Sequence, residues 1–291
     1  MFRGIKILSI LFSSILLLMG ASFTHHLSAS SASEDAIRQL PEGLGNPAVH
    51  KLSANVWAIT GLCHTAGDRG YSVNAGIIAT EKSIVFIDSG MTIDSAEFIW
   101  RTAQEKMPKY DKLYLIITHH HSDHVFGMRV FKEKGAQIIG HRGVEEELRG
   151  DNGKYGSFIA ERMGWNSKRA YEILGKVVIS VPDKAIERDE TLDIDGEKIQ
   201  LLVTPGHVPD EICVYHLKSQ TLFAGDALYE GMDLTIHFGG PEQWRQWIVQ
   251  LERLKKLSLR AIVPGHGHLC TMNEIDRNID YLSRMLRSND K

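Results

Sequence analysis

The chain has 291 residues, with 33 Lys and Arg against 36 Asp and Glu, for a formal net charge of −3. That balance, with no basic run to interrupt it, gives no electrostatic footprint for nucleic acid as a partner. Three cysteines, Cys63, Cys213 and Cys270, are too few for a disulfide scaffold, so the fold has to rest on a hydrophobic core.

Residues 1–33 read as a leader rather than as part of a fold. Arg3 and Lys6 give a positive start, and Ile7 to Met19 form an apolar run of about 13 residues, too short to span a bilayer easily. Small residues follow from Gly20 to Ser22 and from Leu27 to Ser33. This is the layout of a secretory signal peptide with its cleavage point between about residue 22 and residue 33. It predicts a periplasmic or secreted protein with no stable membrane insertion after cleavage, an uncleaved anchor being the alternative. Residues 34–291 then suffice for a single large domain.

Asn55 to Thr60, Ser72 to Ala79 and Ser83 to Asp88 read as strands of an antiparallel start, with a loop at 61–70 carrying Cys63, His64 and Asp68. Asp94 to Lys106 reads as a helix stopped by Pro108. The apolar stretch Leu113 to Thr118 is a buried strand, and a helix near Val125 to Lys134 and a strand at Gln137 to Gly140 follow. Residues 142–176 break the rhythm with short helical patterns at Val144–Leu148, Ser157–Met163 and Ser167–Leu174. Such a helical insertion is either a wall of a pocket or a packing element. Asp189 to Thr204 reads as a hairpin turning through Asp195-Gly196, and Glu211 to Ala224 as a second turning at Lys218-Ser219-Gln220. Pro241 to Leu257 is an amphipathic helix, and Asn273 to Leu286 closes the chain as another. Two sheets with helices outside, an αββα sandwich of the α/β class, satisfy this order.

The chemistry-bearing residues sit at the ends of the apolar segments. Thr118 is followed by His119-His120-His121-Ser122-Asp123-His124, a His-x-His-x-Asp-His run. His119 and His121 are two apart, so on extended backbone they project to one side and can share a cation, while His120 faces away. His207 follows a Pro-Gly turn, Asp226 follows Thr221 to Gly225, and His266 follows Ala261 to Gly265. Seven such donors divide between two metals: His119, His121 and His207 for the first, Asp123, His124 and His266 for the second, with Asp226 able to bridge. Imidazole with carboxylate suits zinc, the metal expected here, and also iron, manganese or cobalt, so ligand type alone does not fix the metal. An adventitious histidine tract would leave His207, Asp226 and His266 unmatched.

On these residues the chain resembles the metallo-β-lactamase superfamily over roughly residues 50 to 285. The resemblance implies the same αββα architecture and a flap at 61–70. It also implies that Asp88, in Ile84-Val85-Phe86-Ile87-Asp88-Ser89-Gly90, is a carboxylate supporting the ligand loop and not a ligand. The chemistry implied is hydrolysis, a hydroxide held between two cations attacking an ester, lactone, thioester or lactam carbonyl of a small-molecule substrate. Asp123 would orient that hydroxide. Tyr229 stands three residues after Asp226, where N-acyl homoserine lactonases place a tyrosine that contacts the substrate carbonyl. Glyoxalase II shares the ligand set but adds a C-terminal helical domain, for which little chain remains after His266. A β-lactamase proper fits the leader, although Asp226 stands where zinc β-lactamases carry Cys or Ser. A mononuclear iron persulfide dioxygenase, an oxidoreductase, would use only some of these ligands, and a non-catalytic metal-binding relic is the remaining class.

Several positions stay open at this level. Met232, Leu234, Ile236 and Phe238 alternate and either line an apolar substrate wall or pack in the core. His64, His237 and His268 read as loop or supporting residues, His216 as structural and Cys213 as core, while Cys63 and Cys270 either pair or stay free. Substrate and oligomeric state are not legible.

Overall fold

The computed structural model describes residues 45–62, 72–150, 154–162, 164 and 166–289. The leader, Cys63, His64, Asp68 and the rest of the 63–71 loop lie outside the described residues.

Alternation of apolar side chains builds two sheets that share a core. The first contains β1 (Gly45–Lys51), β2 (Val56–Leu62), β3 (Val73–Ala79), β4 (Ser83–Ile87), β5 (Lys112–Ile116), β6 (Gln137–His141) and β7 (Lys184–Ile186). β1 through β4 pair antiparallel in sequence order, and β4 through β7 pair parallel. The second contains β8 (Glu190–Ile194), β9 (Glu197–Val203), β10 (Ile212–His216) and β11 (Thr221–Tyr229), antiparallel throughout, with β12 (Ala261–His266) parallel to β11. β12 meets β3 at one pair, His266 with Val73, and this joins the sheets.

Both faces of each sheet are covered, which is why β4 and β10 read as continuous apolar runs. Val85, Ile87 and Ile116 point inward against Ile199, Leu201, Val214 and Phe223 of the facing sheet. Ile84, Phe86, Leu115 and Ile117 point outward, under helix α1 (Ile93–Lys106) and, beyond α2 (Ser122–Val125), helix α3 (Met128–Glu133). Phe86 and Phe131 stack with ring centroids 4.7 Å apart. α1 starts at Thr92, whose Oγ1 accepts from the Ser95 N–H at 3.0 Å, and buries Ser95, Ala96, Ile99, Thr102 and Ala103 at helical spacing. Helices α4 (Arg142–Gly150), α5 (Lys154–Arg162) and α6 (Ser167–Leu174) follow β6. On the outer face of the second sheet, α7 (Pro241–Leu254) and α8 (Met272–Asn289) cover Cys213, Leu222 and Ile262 with Trp247, Leu251, Leu254, Ile275 and Leu282. Each large side chain so buried contributes about 1.5–3 kcal/mol relative to exposure. The result is the αββα sandwich the sequence order predicts.

The differences are local. β1 and β7 have no counterpart among the expected strands. The helix expected over Val125–Lys134 is two helices, because the Gly127 N–H donates to Gly90 O at 3.0 Å instead of continuing the first turn. α7 ends at Leu254, and the Lys256 N–H turns back to Arg253 O at 3.1 Å. β11 runs on past Ala224 to Tyr229, with register shifts on both sides of Gly225, so Asp226 sits inside a bulged strand and not at its end. The Asp195-Gly196 turn has positive φ at both residues, 52° and 84°, as a type I′ hairpin demands.

Candidate metal centre

The sandwich delivers all seven candidate donors to one edge. Ile117 and Thr118 extend β5, and the backbone then turns through His119 to His124 into α2. The turn is held from behind by Asp88, which adopts a left-handed φ of 60°, unusual for a residue with a side chain. Its Oδ1 accepts from the Thr118 N–H at 2.8 Å, and its Oδ2 lies 2.8 Å from His124 Nδ1 and accepts from Thr118 Oγ1 at 2.9 Å. Ser89 Oγ donates to His124 O at 2.7 Å. Asp88 therefore ties the end of β4 to the 119–124 loop and stands outside both groups of candidate donors. From the second sheet come His207 after β9, Asp226 in β11 and His266 at the end of β12. Gly265 lets β12 approach, since a Cβ there would lie 2.1 Å from Asp226 Oδ1.

The donors fall into two groups, His119, His121, His207 and Asp226 in one and Asp123, His124 and His266 in the other, and all seven residues are buried. His119 Nε2 and His207 Nε2 each lie 3.0 Å from His121 Nδ1. Asp226 spans both groups. Its Oδ2 lies 3.3 Å from His207 Nε2 and 3.8 Å from His119 Nε2, and its Oδ1 lies 3.2 Å from His124 Nε2 and 3.1 Å from His266 Nε2. Asp123 Oδ2 lies 3.4 Å from His266 Nε2 and 3.7 Å from His124 Nε2. Tyr229 O–H donates to Asp226 Oδ2 at 2.6 Å, and Asn278 brackets the Tyr229 backbone, accepting from its N–H at 3.0 Å and donating to its O at 2.8 Å.

Nitrogens converging at 3.0 Å, with His124 Nε2 and Asp226 Oδ1 buried and without hydrogen-bond partners among the described residues, have the arrangement of a cation-binding site. The distal nitrogens are already engaged: His266 Nδ1 donates to Ser72 O at 2.8 Å and His207 Nδ1 to Thr235 O at 3.2 Å, as ligand histidines require. The residues present fit two divalent cations.

Electrostatics divides the groups. Burial, the largest influence, holds His119 and His121 well below the ordinary histidine value and His207 at about 4. For His124 and His266 burial pulls the same way but is outweighed, for His124 by Asp88, Asp123 and Asp226 together, and for His266 by Asp226 and Asp123, so both are raised. Asp226 is depressed: burial, which opposes this, is overcome by His266 and His124. Burial and then the Asp226 charge push the Tyr229 phenol well up.

The other sequence candidates sort plainly. His120 turns away, its ring Nδ1 2.9 Å from Asp210 Oδ1 and its N–H donating to Asp210 Oδ2 at 3.1 Å. His216 lies between Ser219 and Glu197 on the second sheet, and His268 follows β12 with its N–H on Glu230. Leu234 is buried, and Met232 and Ile236 pack with it against α7 and α8. Phe238 instead is 46% exposed, its ring centroid 4.3 Å from His121 and 5.4 Å from His207, so it alone of the four forms a wall beside the donors. Cys213 and Cys270 carry free thiols. Sequence reasoning missed Asp210, Glu211 and Asn278. The signals were two adjacent carboxylates opening the apolar strand Ile212–His216, and one amide on the buried stripe Ile275, Asn278, Leu282.

The family model of the metallo-β-lactamase superfamily matches residues 68–266. The chain belongs to that superfamily. Among its superfamily relatives, an acyl-coenzyme A thioesterase from Gallus gallus is 23% identical over 236 residues, 76% of this chain and 80% of that one. A hydroxyacylglutathione hydrolase from Haemophilus influenzae is 28% identical over 207 residues, 70% of this chain and 89% of that one. A type 2 metallo-β-lactamase from Bacillus cereus is 24% identical over 254 residues, 82% of this chain and 83% of that one. The solved metallo-β-lactamase from Pontibacter korlensis superposes with a TM-score of 0.61 at 20% identity, covering 82% of this chain and 99% of that one, a likeness of fold.

Proposed function

We propose that this superfamily member is an exported, dinuclear zinc hydrolase of ester-like bonds in small molecules, thioesters and lactones included. The observation that carries the reading is Asp226, whose two oxygens face two separate sets of histidines, His207 and His119 at 3.3 and 3.8 Å and His124 and His266 at 3.2 and 3.1 Å. Bound cations would supply Lewis acidity toward a carbonyl and acidify water between them.

The chain's own residues do the rest. Tyr229 fixes the rotamer of Asp226 through its 2.6 Å hydrogen bond, and the same O–H can turn to an oxygen that gains charge beside the bridge. Asp123, against His266 and His124, is placed to hold a proton for the leaving group. Phe238 offers an apolar face to the part of the substrate that does not react. Thioesters are supported by the names of two relatives, a thioesterase and a hydroxyacylglutathione hydrolase. Export is supported by the leader composition of residues 1–33.

Metal analysis of the mature protein by mass spectrometry, paired with hydrolysis of a panel of lactones, thioesters, esters and β-lactams, tests this. About two zinc ions per chain and a preference for an ester-like substrate is the expected outcome. Preference for β-lactams would move the assignment to antibiotic hydrolysis, and one iron per chain with no hydrolysis would replace it with an oxidoreductase.

A further inference from the structure

One buried carboxylate has no part in the site as described so far. Glu211, the residue before β10, is fully buried, and among the described residues neither of its oxygens has a hydrogen-bond partner. Its Oε2 lies 3.4 Å from His119 Nδ1, on the opposite side of the ring from the Nε2 that faces His121 and Asp226. Space for Oε1 exists because residue 225 is glycine: a Cβ there would stand 2.3 Å from that oxygen. The charged groups felt by Glu211 are the carboxylates of Asp226, Asp210 and Asp88, with His124 the one cation among them. Burial, the largest influence, and then these carboxylates hold the Glu211 carboxyl well above the ordinary carboxylate value.

The other donors that approach through Nε2 show what the arrangement is for. The Nδ1 of His124 faces Asp88, that of His266 a carbonyl and that of His207 a carbonyl. His119 Nδ1 faces the Thr118 hydroxyl at 3.2 Å and Glu211 behind it. The first group contains one carboxylate, Asp226, which it shares, so a second carboxyl group behind His119 backs a set otherwise built of imidazole rings.

We propose that Glu211 is a positioning residue for the first group: its carboxyl group, 3.4 Å behind His119 Nδ1, orients that ring, keeps Nε2 free for the cation and strengthens the ring as a ligand. The inference rests on reading the first group as a metal site. A carboxylate behind a ligand imidazole raises its basicity, and losing such a partner costs about 10–100-fold in metal affinity.

The test uses the mature chain stripped of metal and titrated with Zn2+ against a competing chelator, together with thermal melts of the metal-free protein. Glu211→Gln keeps the shape and one acceptor oxygen without charge, and Glu211→Leu removes both. In Glu211→Leu one binding step should weaken about 10–100-fold, the step also lost in His207→Ala, while the step lost in His266→Ala stays at its wild-type strength. Glu211→Gln should fall between, and it decides alone if the leucine variant does not fold. The metal-free Tm should hold or rise, because a buried polar group without a hydrogen-bond partner has been removed. Unchanged zinc affinity in the variants overturns the inference, as does equal weakening of both steps with a lowered metal-free Tm, the result for a merely structural carboxylate. Wild-type protein that binds no divalent cation overturns the metal reading and this inference with it.

Discussion

Replacing Asp88 with Ala removes three bonds at once from behind the ligand loop, and the cost can be worked from the geometry. The buried Thr118 N–H, now 2.8 Å from Asp88 Oδ1, loses its acceptor, a loss of about 1–3 kcal/mol. His124 loses its buried carboxylate partner at 2.8 Å, which costs about 3–5 kcal/mol when one member of such a pair is deleted. Alanine also tolerates the left-handed backbone of residue 88 less well than aspartate, adding about 1 kcal/mol. The low ends together give about 5 kcal/mol, a third or more of the stability of an ordinary domain. At about 2–4 °C per kcal/mol for a chain of this size, the metal-free Tm should fall by about 10–20 °C. Asp88→Asn keeps one acceptor and the tolerance for positive φ, and should lose about half as much. Circular-dichroism melts of metal-free protein measure both. An Asp88→Ala variant that melts within about 3 °C of wild type would refute the claim that this carboxylate holds the loop.

Asp226→Ala should leave the fold intact and cut hydrolysis by orders of magnitude, because its two oxygens face the Nε2 atoms of both groups; wild-type turnover in steady-state assays would remove Asp226 from the bridge. Phe238→Ala should raise KM with little change in kcat and move stability by less than about 0.5 kcal/mol, the pattern of an exposed side chain that binds ground and transition states alike. Metal loading should release protons unequally. His124 and His266 have raised pKa values, so filling their group should expel more protons than filling the first, and its affinity should climb as pH rises through those values. His119, His121 and His207 are depressed and stay neutral, so the first group should release few, and His207 should resist protonation down to about pH 4. Potentiometric titration with zinc checks this, and equal release in the two steps would contradict it.

The donors were legible because each is a residue type that rarely ends an apolar strand without a reason, and the sheets because Val85 and Phe86, or Val214 and Tyr215, pack on opposite faces at period two. β1 carries Pro47 and an exposed Val49 with no such period, and β7 is three residues long, so neither had a pattern to show. The break at Phe126–Gly127 arises from a hydrogen bond to Gly90, a partner 37 residues away that no local reading contains. Glu211 was invisible for a related reason. A glutamate beside a turn is ordinarily solvated, and only the facing glycine of another strand and the ring of His119 make this one buried.

The two sheets touch along β3 and β12 through long-range ties: Asn74 Nδ2 donates to Pro264 O at 2.8 Å across 190 residues, and His266 to Ser72 O across 194. Closing loops of that length is slow compared with forming the local hairpins and helices on either side. A chain that has ordered only its first sheet owns His119, His121, Asp123 and His124 but lacks Asp226 and the last imidazole of each group, His207 and His266. On the proposed dinuclear reading, capture of two ions would be a late event, open to molecules whose sheets have docked and closed to those still on the way.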